Sequence, residues 1–350
     1  MTPPTPDETP SPPGPALLTG HAEVASAMRA PEAYTTATAI DCGQHRPLLP
    51  LQVEPPLHGS IRAPLEPYFS AAAAAQQAVG VGELVDQLLA PLPRTEPIDL
   101  NARFSRWVPV LALLRLLGLP ADDASTVRDL HDHVLHLGGD GSDVQRRAAA
   151  DQVYAYFEAA LSHGQPRGLL HGLLGDGTLD RDQIVDVCFT LLLAGIDPVS
   201  QAIAVGACVL AGAAGGDLEV GPGGLAPRSL EELLRWGSPV DTLPRAVVGA
   251  DGCPTSQRVG LSIREANRDA GVFADPDRLD PARREGAHLS FGAGPHRCIG
   301  AHLARLQVRV ALDHLRRTAP SLVLADPEGL PEPQRVRAQD RLLVVLGPPG

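Results

Sequence analysis

The segment FGAGPHRCIG, Phe291 to Gly300, sets one cysteine, Cys298, at the close of a glycine-rich turn, and an arginine-rich helical pattern follows at once. That placement suits a thiolate. Backbone N–H groups opening the next helix stabilise negative charge on sulfur. As an axial ligand, a thiolate pushes electron density onto haem iron and favours O–O cleavage over simple oxygen carriage. Gly292, Gly294 and Gly300 permit positive φ and let backbone lie close to a flat ligand. Taken by itself, the cysteine has a second reading as an inert thiol buried in a turn.

Three further segments pair residue types at spacings that chemistry uses. Glu232 and Arg235 stand three apart on a helical pattern, a spacing usually found as a solvated pair worth a few tenths (~0.3) of a kcal/mol. His58 and Arg62, in EPPLHGSIR, are one helical turn apart and share a face. Within a long apolar helix lies Leu193-Ala194-Gly195-Ile196-Asp197-Pro198. Ala194 and Gly195 leave room for a bulky flat neighbour, and Asp197 supplies an acid. Pro198 lacks an N–H and crowds the carbonyl of Ala194, which predicts a helix opened to a water or a substrate group, or a plain kink.

In type, spacing and order these segments resemble the cytochrome P450 family. F-G-x-G-x-H-x-C-x-G is the family's highly specific cysteine loop, with E-x-x-R, H-x-x-x-R and A-G-x-D/E-T as its other marks. The resemblance implies haem b (iron protoporphyrin IX) with Cys298 on the iron and Phe291, Gly292 and Gly300 in the loop that carries it. It implies that His58, Arg62, Arg245 and His296 meet the two haem propionates, which need cationic partners when half-buried. It also implies a buried Glu232–Arg235 pair completed by Arg283. In ANRDAGVFADPDRLD, Asn267, Arg268 and Asp269 would satisfy backbone groups of an irregular approach to the loop, and Leu279 replaces a usual phenylalanine.

The catalytic face implied is Ala194, Gly195, Asp197 and Pro198, and here the chain departs from the pattern. The family's threonine hydroxyl helps deliver protons to dioxygen, and Pro198 has no hydroxyl. A substrate carboxylate, or ordered water with Asp197 as relay, would replace it; peroxide as oxidant would bypass it. Peroxide-using members can carry proline here with an arginine before it that holds a fatty-acid carboxylate. Asp197 would repel that anion, which argues against fatty-acid peroxygenation.

The implied fold is mostly α, a single-domain cytochrome P450 fold with small β-sheets, over residues 16–350. Residues 1–15 are Pro-rich and expected to be extended or disordered. A strand then a helix are expected from Leu17, and a long loop over Thr35–Pro56. Helical patterns cover His58–Phe69, Ala75–Leu92, Leu100–Leu117, Ala124–Leu137, Val144–Leu161, Asp180–Gly212, Ser229–Trp236 and Gly300–Arg317. Strands are expected within Ala246–Val259 and near Leu342–Leu346. Relative to the family pattern, the N-terminal helix and part of the first sheet are expected to be missing, which would either open the pocket to a bulky ligand such as a modified peptide or be without consequence.

Composition bounds the rest. With 44% hydrophobic but only 3% aromatic residues, the core must be Leu, Val and Ala. All 29 basic residues are arginine, yet the net charge is −12, which excludes nucleic acid as the partner. Cys42, Cys188, Cys208, Cys253 and Cys298 form no C-x-x-C, so reduced cytoplasmic thiols are expected. Neither a signal peptide nor a membrane span is expected, since Asp197 and Pro198 interrupt the longest apolar stretch. Arg297, Arg305, Arg309, Arg316 and Arg317, against Asp313 alone, suit docking of an acidic ferredoxin, with its ferredoxin reductase upstream. His45 and Arg46 are candidate contacts for an anionic substrate, and Val240, Thr242 and Leu243 for the pocket wall. The expected function is oxidation of a small-molecule or modified-peptide secondary metabolite bearing a carboxylate, by hydroxylation or oxidative decarboxylation. The alternatives are a peroxide-driven peroxygenase and a non-catalytic haem-binding recruitment domain.

Overall fold

The computed structural model describes residues 16–348 except 141, 164–166, 214–216, 222–223 and 285; the Pro-rich segment 1–15 lies outside the described residues. The chain opens with β1 (Ala16–Leu18), α1 (His21–Met28) and β2 (Tyr34–Thr35), then α2 (Leu57–Arg62), α3 (Glu66–Phe69) and α4 (Ala71–Leu89). β3 (Ile98–Asp99) leads through a π-helical turn at Asn101–Ser105 into α5 (Trp107–Leu117). Next come α6 (Ala124–Asp140), α7 (Asp143–His163), α8 (Gly168–Asp176) and α9 (Arg181–Leu210). After β4 (Val220–Gly221) and β5 (Gly224–Leu225) stand α10 (Pro227–Gly237), β6 (Thr242–Val248), β7 (Pro254–Ser262) and α11 (Ile263–Ala266). α12 (Ala301–Thr318), β8 (Val323–Leu324) and β9 (Leu343–Val345) complete it.

Because α9 is apolar on nearly every side, it can be stable only inside other helices. Ile184, Val187, Phe189, Ile203 and Ala204 on it are fully buried, and α5, α7, α10 and α12 pack around it. Its length and apolarity would also suffice to cross a membrane, but 67% of the qualifying window is buried inside the protein. A capping box starts it: Asp180 accepts from the Gln183 N–H at 2.8 Å, and the Gln183 side chain accepts from the Asp180 N–H at 3.0 Å. α5 stops at Gly118, whose φ of +78° suits glycine and where a Cβ would lie 2.3 Å from the Arg167 backbone.

A four-stranded sheet in the order β1-β7-β6-β2 carries a core of its own, while a smaller sheet β3-β9-β8 packs with the helical core. Val24, Met28, Leu261, Ile263 and Leu289 form a second apolar core between α1 and the larger sheet. The strand signal over Ala246–Val259 is the β6–β7 hairpin.

Some expected elements differ. The helix expected over His58–Phe69 is divided: Ala63 keeps helical backbone, but Pro64 has no N–H to continue the ladder. The one expected over Leu100–Leu117 begins as a π-helical turn. α8 was not expected: the glycines of GLLHGLLGD hide the buried stripe Leu169, Leu170 and Leu173. Gly172 is needed there, because a Cβ would sit 1.5 Å from the Tyr68 hydroxyl. Pro198 does not interrupt α9, which stays helical from Arg181 to Leu210. The ring still leaves the Ala194 carbonyl without its usual i+4 N–H donor.

Candidate active site

The cysteine loop is held by its own backbone. Cys298 donates its N–H to the Phe291 carbonyl at 2.8 Å, and Gly292 donates to Leu289 at 2.8 Å. Gly294 has φ +69°, and a Cβ on it would stand 2.4 Å from the Met28 carbonyl, so no other residue fits. Asn267, fully buried, ties the approach: its amide donates to the hydroxyls of Ser238 and Ser290 at 3.0 Å and accepts from the Leu289 N–H at 2.7 Å. α12 starts directly beyond the loop.

Cys298 is exposed to solvent, yet burial is the largest influence on its thiol and pushes its pKa up. Both hold if the sulfur faces an interior hollow. The Gly300 backbone, Arg62, Arg305 and Arg297 pull the other way and favour the thiolate. In α9, Ala194 is exposed although its neighbours belong to the core, and a Cβ on Gly195 would meet nothing within 4 Å. Open interior space therefore borders this helix at the two residues expected to clear it.

The expected anchors converge beside the loop. The rings of His58 and His296 meet edge to face at 4.6 Å. His296 Nε2 lies 2.8 Å from Glu54 Oε2. Arg62 donates to the Arg297 carbonyl at 2.8 Å and to Glu66 at 3.2 Å. Arg245 is 5% exposed; burial depresses its pKa and the Glu54 charge raises it. Its guanidinium donates to the Pro244 carbonyl at 2.8 Å. Among the described residues that is a buried cation without a paired carboxylate. Arg245, with Arg62 and the two imidazoles beside it, fits the two acid arms of haem as hydrogen-bond donors, and Cys298 fits its iron.

Glu54 organises the cluster. It accepts from Thr35 Oγ1 at 2.7 Å, the Thr36 N–H at 2.8 Å and Thr36 Oγ1 at 3.0 Å. Burial alone would raise its carboxyl, but the bonds from His296, Thr36 and Thr35 outweigh that and hold it at about 2. A depressed carboxylate stabilises the fold above its unfolded pKa and loses that contribution as pH falls toward the folded one. The stability of Glu54→Gln is thus expected to fall less steeply than that of the wild type as pH drops from 4.5 to about 2, measured by urea unfolding followed by circular dichroism at each pH.

The E-x-x-R pair is buried as expected. Arg235, 1% exposed, donates to both Glu232 oxygens at 2.8 Å, and Arg283 Nε donates to Glu232 Oε1 at 3.1 Å. Arg235 also donates to the carbonyls of Asn267 and Pro276 at 2.8 Å. The triad thereby clamps α10 to the chain leading into the cysteine loop.

Other expectations are corrected. Arg305 is no free surface cation: it grips Glu231 at 2.6 and 2.7 Å and stacks over the Phe291 ring at 4.2 Å. Arg46 lies 2.7 Å from Asp186 and 3.2 Å from Asp182, and exposed His45 lies 3.2 Å from Asp151, so both already face carboxylates of the protein. Burial pushes the Asp186 carboxyl up to about 6 even beside Arg46. These pairs bind the 35–56 loop to α7 and α9. A cleft of about 500 Å³ opens on that loop, lined by Ile40, Gln44, Arg46, Arg146 and Arg147 among others.

Asp197 is held from two sides. Its Oδ2 accepts from Gln339 Nε2 at 2.8 Å, and its Oδ1 lies 3.7 Å from His131 Nε2 on α6. Sequence reasoning missed both partners. His131 sits in the run HDHVLH, where nothing local separates it from its neighbours, and Gln339 lies in an irregular segment.

Residues 225–318 match the family model for cytochrome P450. The chain is 32% identical over 316 residues to vitamin D(3) 25-hydroxylase of Pseudonocardia autotrophica, covering 85% of this chain and 77% of that protein. It is 30% identical over 333 residues to pentalenic acid synthase of Streptomyces avermitilis, covering 89% and 82%. Among solved structures, a mutant of P450 EryK in complex with erythromycin B superposes with a TM-score of 0.79 at 26% identity, covering 95% of this chain and 91% of that one.

Proposed function

The chain belongs to the cytochrome P450 family and is a haem monooxygenase, and from that premise we propose that it oxidises a secondary metabolite by hydroxylation or oxidative decarboxylation. The observation that carries this is the cysteine loop closed on an accessible Cys298 beside buried Arg245, part-buried Arg62 and the paired rings of His58 and His296. The relatives named as a 25-hydroxylase and a pentalenic acid synthase, and the neighbour holding erythromycin B, support a small-molecule substrate of that kind. Residues 16–350 act as one haem-thiolate oxygenase domain.

Each residue has a physical part in this reading. Cys298 binds the iron; His58, Arg62, Arg245 and His296 hold the propionates; Phe291, Gly292 and Gly300 shape the loop beneath the ring. Bound haem supplies the oxygen-activating chemistry. Ala194 and Gly195 keep α9 clear of the ring, and Asp197 holds the proton that the reaction consumes. Pro198 leaves that task without the usual hydroxyl, so the substrate bears a carboxylate near the iron or water takes the place. A carboxamide analogue that turns over as well as the acid removes the first option.

Electrons come from an acidic ferredoxin and its reductase, docking on the face of α12. With Arg305 committed to Glu231, the exposed cations left for docking include Arg297, Arg316 and Arg317, with half-buried Arg309 beside them. Arg309→Glu combined with Arg317→Glu is expected to slow ferredoxin-driven turnover about 10-fold at low salt, the difference shrinking as salt rises. Equal rates and equal salt dependence remove the docking face. A peroxide-driven mode is the second reading, favoured by Pro198 alone. Product formed with NADPH, ferredoxin and reductase supports the oxygenase; product with peroxide only supports the other.

A further inference from the structure

Beside the cysteine loop stands a charge cluster that the haem anchors leave unused. Two successive glutamates of α10 serve different partners. Glu232 holds the arginine triad, whereas Glu231 accepts from Arg305 of α12 on both oxygens, at 2.6 and 2.7 Å. His288 Nε2 lies 3.1 Å from Glu231 Oε2. Ser290 donates its N–H to His288 Nδ1 at 3.2 Å, so Nε2 carries the ring's proton and donates it to Glu231. The Arg305 guanidinium lies over the Phe291 ring, 4.2 Å from its centroid, and the His288 ring stands 6.0 Å from the same ring. Phe291 is also the residue whose carbonyl accepts the Cys298 N–H at 2.8 Å. The ion pair is therefore fixed onto the loop that carries the sulfur. With side chains 24% and 39% exposed, such a pair contributes only about 0–1 kcal/mol to stability.

We propose that Arg305 and Glu231 are positioning residues for electron uptake: their opposed charges, acting through Phe291 and the cysteine bonded to it, set the reduction potential of the thiolate-bound iron. This rests on the oxygenase reading above. The step is the transfer of one electron from reduced ferredoxin to ferric iron. The iron becomes ferrous, the ferredoxin is oxidised, and no atom changes place. Because the electron adds negative charge next to a thiolate, a nearby cation favours the reduced state and a nearby anion opposes it.

The charges around the sulfur support this. Arg62, Arg305 and Arg297 each act on Cys298 by their charge. Arg62 is turned to the Arg297 carbonyl and to Glu66. Arg305 differs in two ways: its guanidinium is gripped on two nitrogens by one carboxylate, and it rests on a ring of the loop itself. Glu231 both holds that cation in place and offsets its charge. His288 fixes the Glu231 carboxylate from the other side without adding charge. Removing either member of the pair therefore leaves a net charge of known sign at a fixed place beside the loop.

The test is a reductive titration of the ferric holoprotein with dithionite and mediator dyes, read by absorbance. Neither substrate nor ferredoxin is present, so docking and turnover do not enter. Arg305→Gln leaves Glu231 uncompensated and is expected to lower the equilibrium constant for reduction about 10-fold, which is ~59 mV for one electron. Glu231→Gln leaves Arg305 uncompensated and is expected to raise it by a similar factor. The two changes together should return the potential close to that of the wild type, and Arg305→Lys, which keeps the charge, should hold it there. A merely structural role would move both single variants in the same direction and leave Arg305→Lys as displaced as Arg305→Gln. Shifts of one sign, or potentials that coincide in the wild type and both single variants, overturn the proposal. Should Arg305→Gln fail to take up haem, Glu231→Gln against Arg305→Lys decides it: a raised potential in the first with a wild-type value in the second supports the charge role, and equal potentials overturn it. A wild-type protein without a thiolate-type spectrum overturns the oxygenase reading instead.

Discussion

Cys298→Ser, reduced under carbon monoxide, is expected to give no long-wavelength Soret band, while the wild type gives one. The band reports a thiolate on the iron, and a serine hydroxyl is not ionised at neutral pH. Of the other thiols, Cys42, Cys188 and Cys208 are buried, with burial pushing their pKa values above the ordinary thiol range, and Cys253 lies exposed at the β6–β7 turn. Cys253 aside, none can replace the lost ligand without rebuilding the core. Monooxygenase turnover should fall to background, because electron donation from sulfur drives O–O cleavage. The anchors His58, Arg62, Arg245 and His296 are untouched, so the variant should still take up hemin. A variant that keeps the thiolate band would mean that another cysteine holds the iron and that the Phe291–Gly300 loop has been misassigned.

Glu232→Ala is expected to cost about 3–5 kcal/mol, the usual penalty for breaking a buried ion pair from one side. Against a typical domain stability of roughly 5–15 kcal/mol, that is enough to bring the protein near unfolding. The cause is what remains: Arg235, 1% exposed, keeps its charge and loses both carboxylate bonds at 2.8 Å. The Asp280 N–H loses its acceptor too, at 2.9 Å. Urea unfolding of the holoenzyme measures the loss. Glu332→Ala is the control, since its partner Arg335 is 63% exposed and such pairs are worth about 0–1 kcal/mol. Arg283→Ala should fall between the two, because Glu232 still holds Arg235. Equal midpoints for Glu232→Ala and Glu332→Ala would show that the triad does not stabilise the fold.

Where bonds join residues close along the chain, the expectations held. The cysteine loop closes between Phe291 and Cys298, and Glu232 meets Arg235 one helical turn away, so spacing brings these partners together, although the burial of the pair was implied only by the family resemblance. Covalent constraint also explains the split between α2 and α3, since Pro64 has no N–H to carry the helix on. Pro198 is the reverse case: the packed core around α9 keeps the helix continuous where local chemistry predicts an opening.

By itself the sequence determined the helical core, because hydrophobic periodicity specifies it, while the cysteine loop and the buried E-x-x-R pair were legible only through the family resemblance that the order of the motifs carries. Only the tertiary structure decided which charges are free. Arg305 finds Glu231 from 74 residues away, and His131 finds Asp197 across two packed helices. Periodicity says which face of a helix is apolar, but a charge's partner depends on which other helix comes to lie against it. That is settled by packing of the whole core, and no local spacing records it.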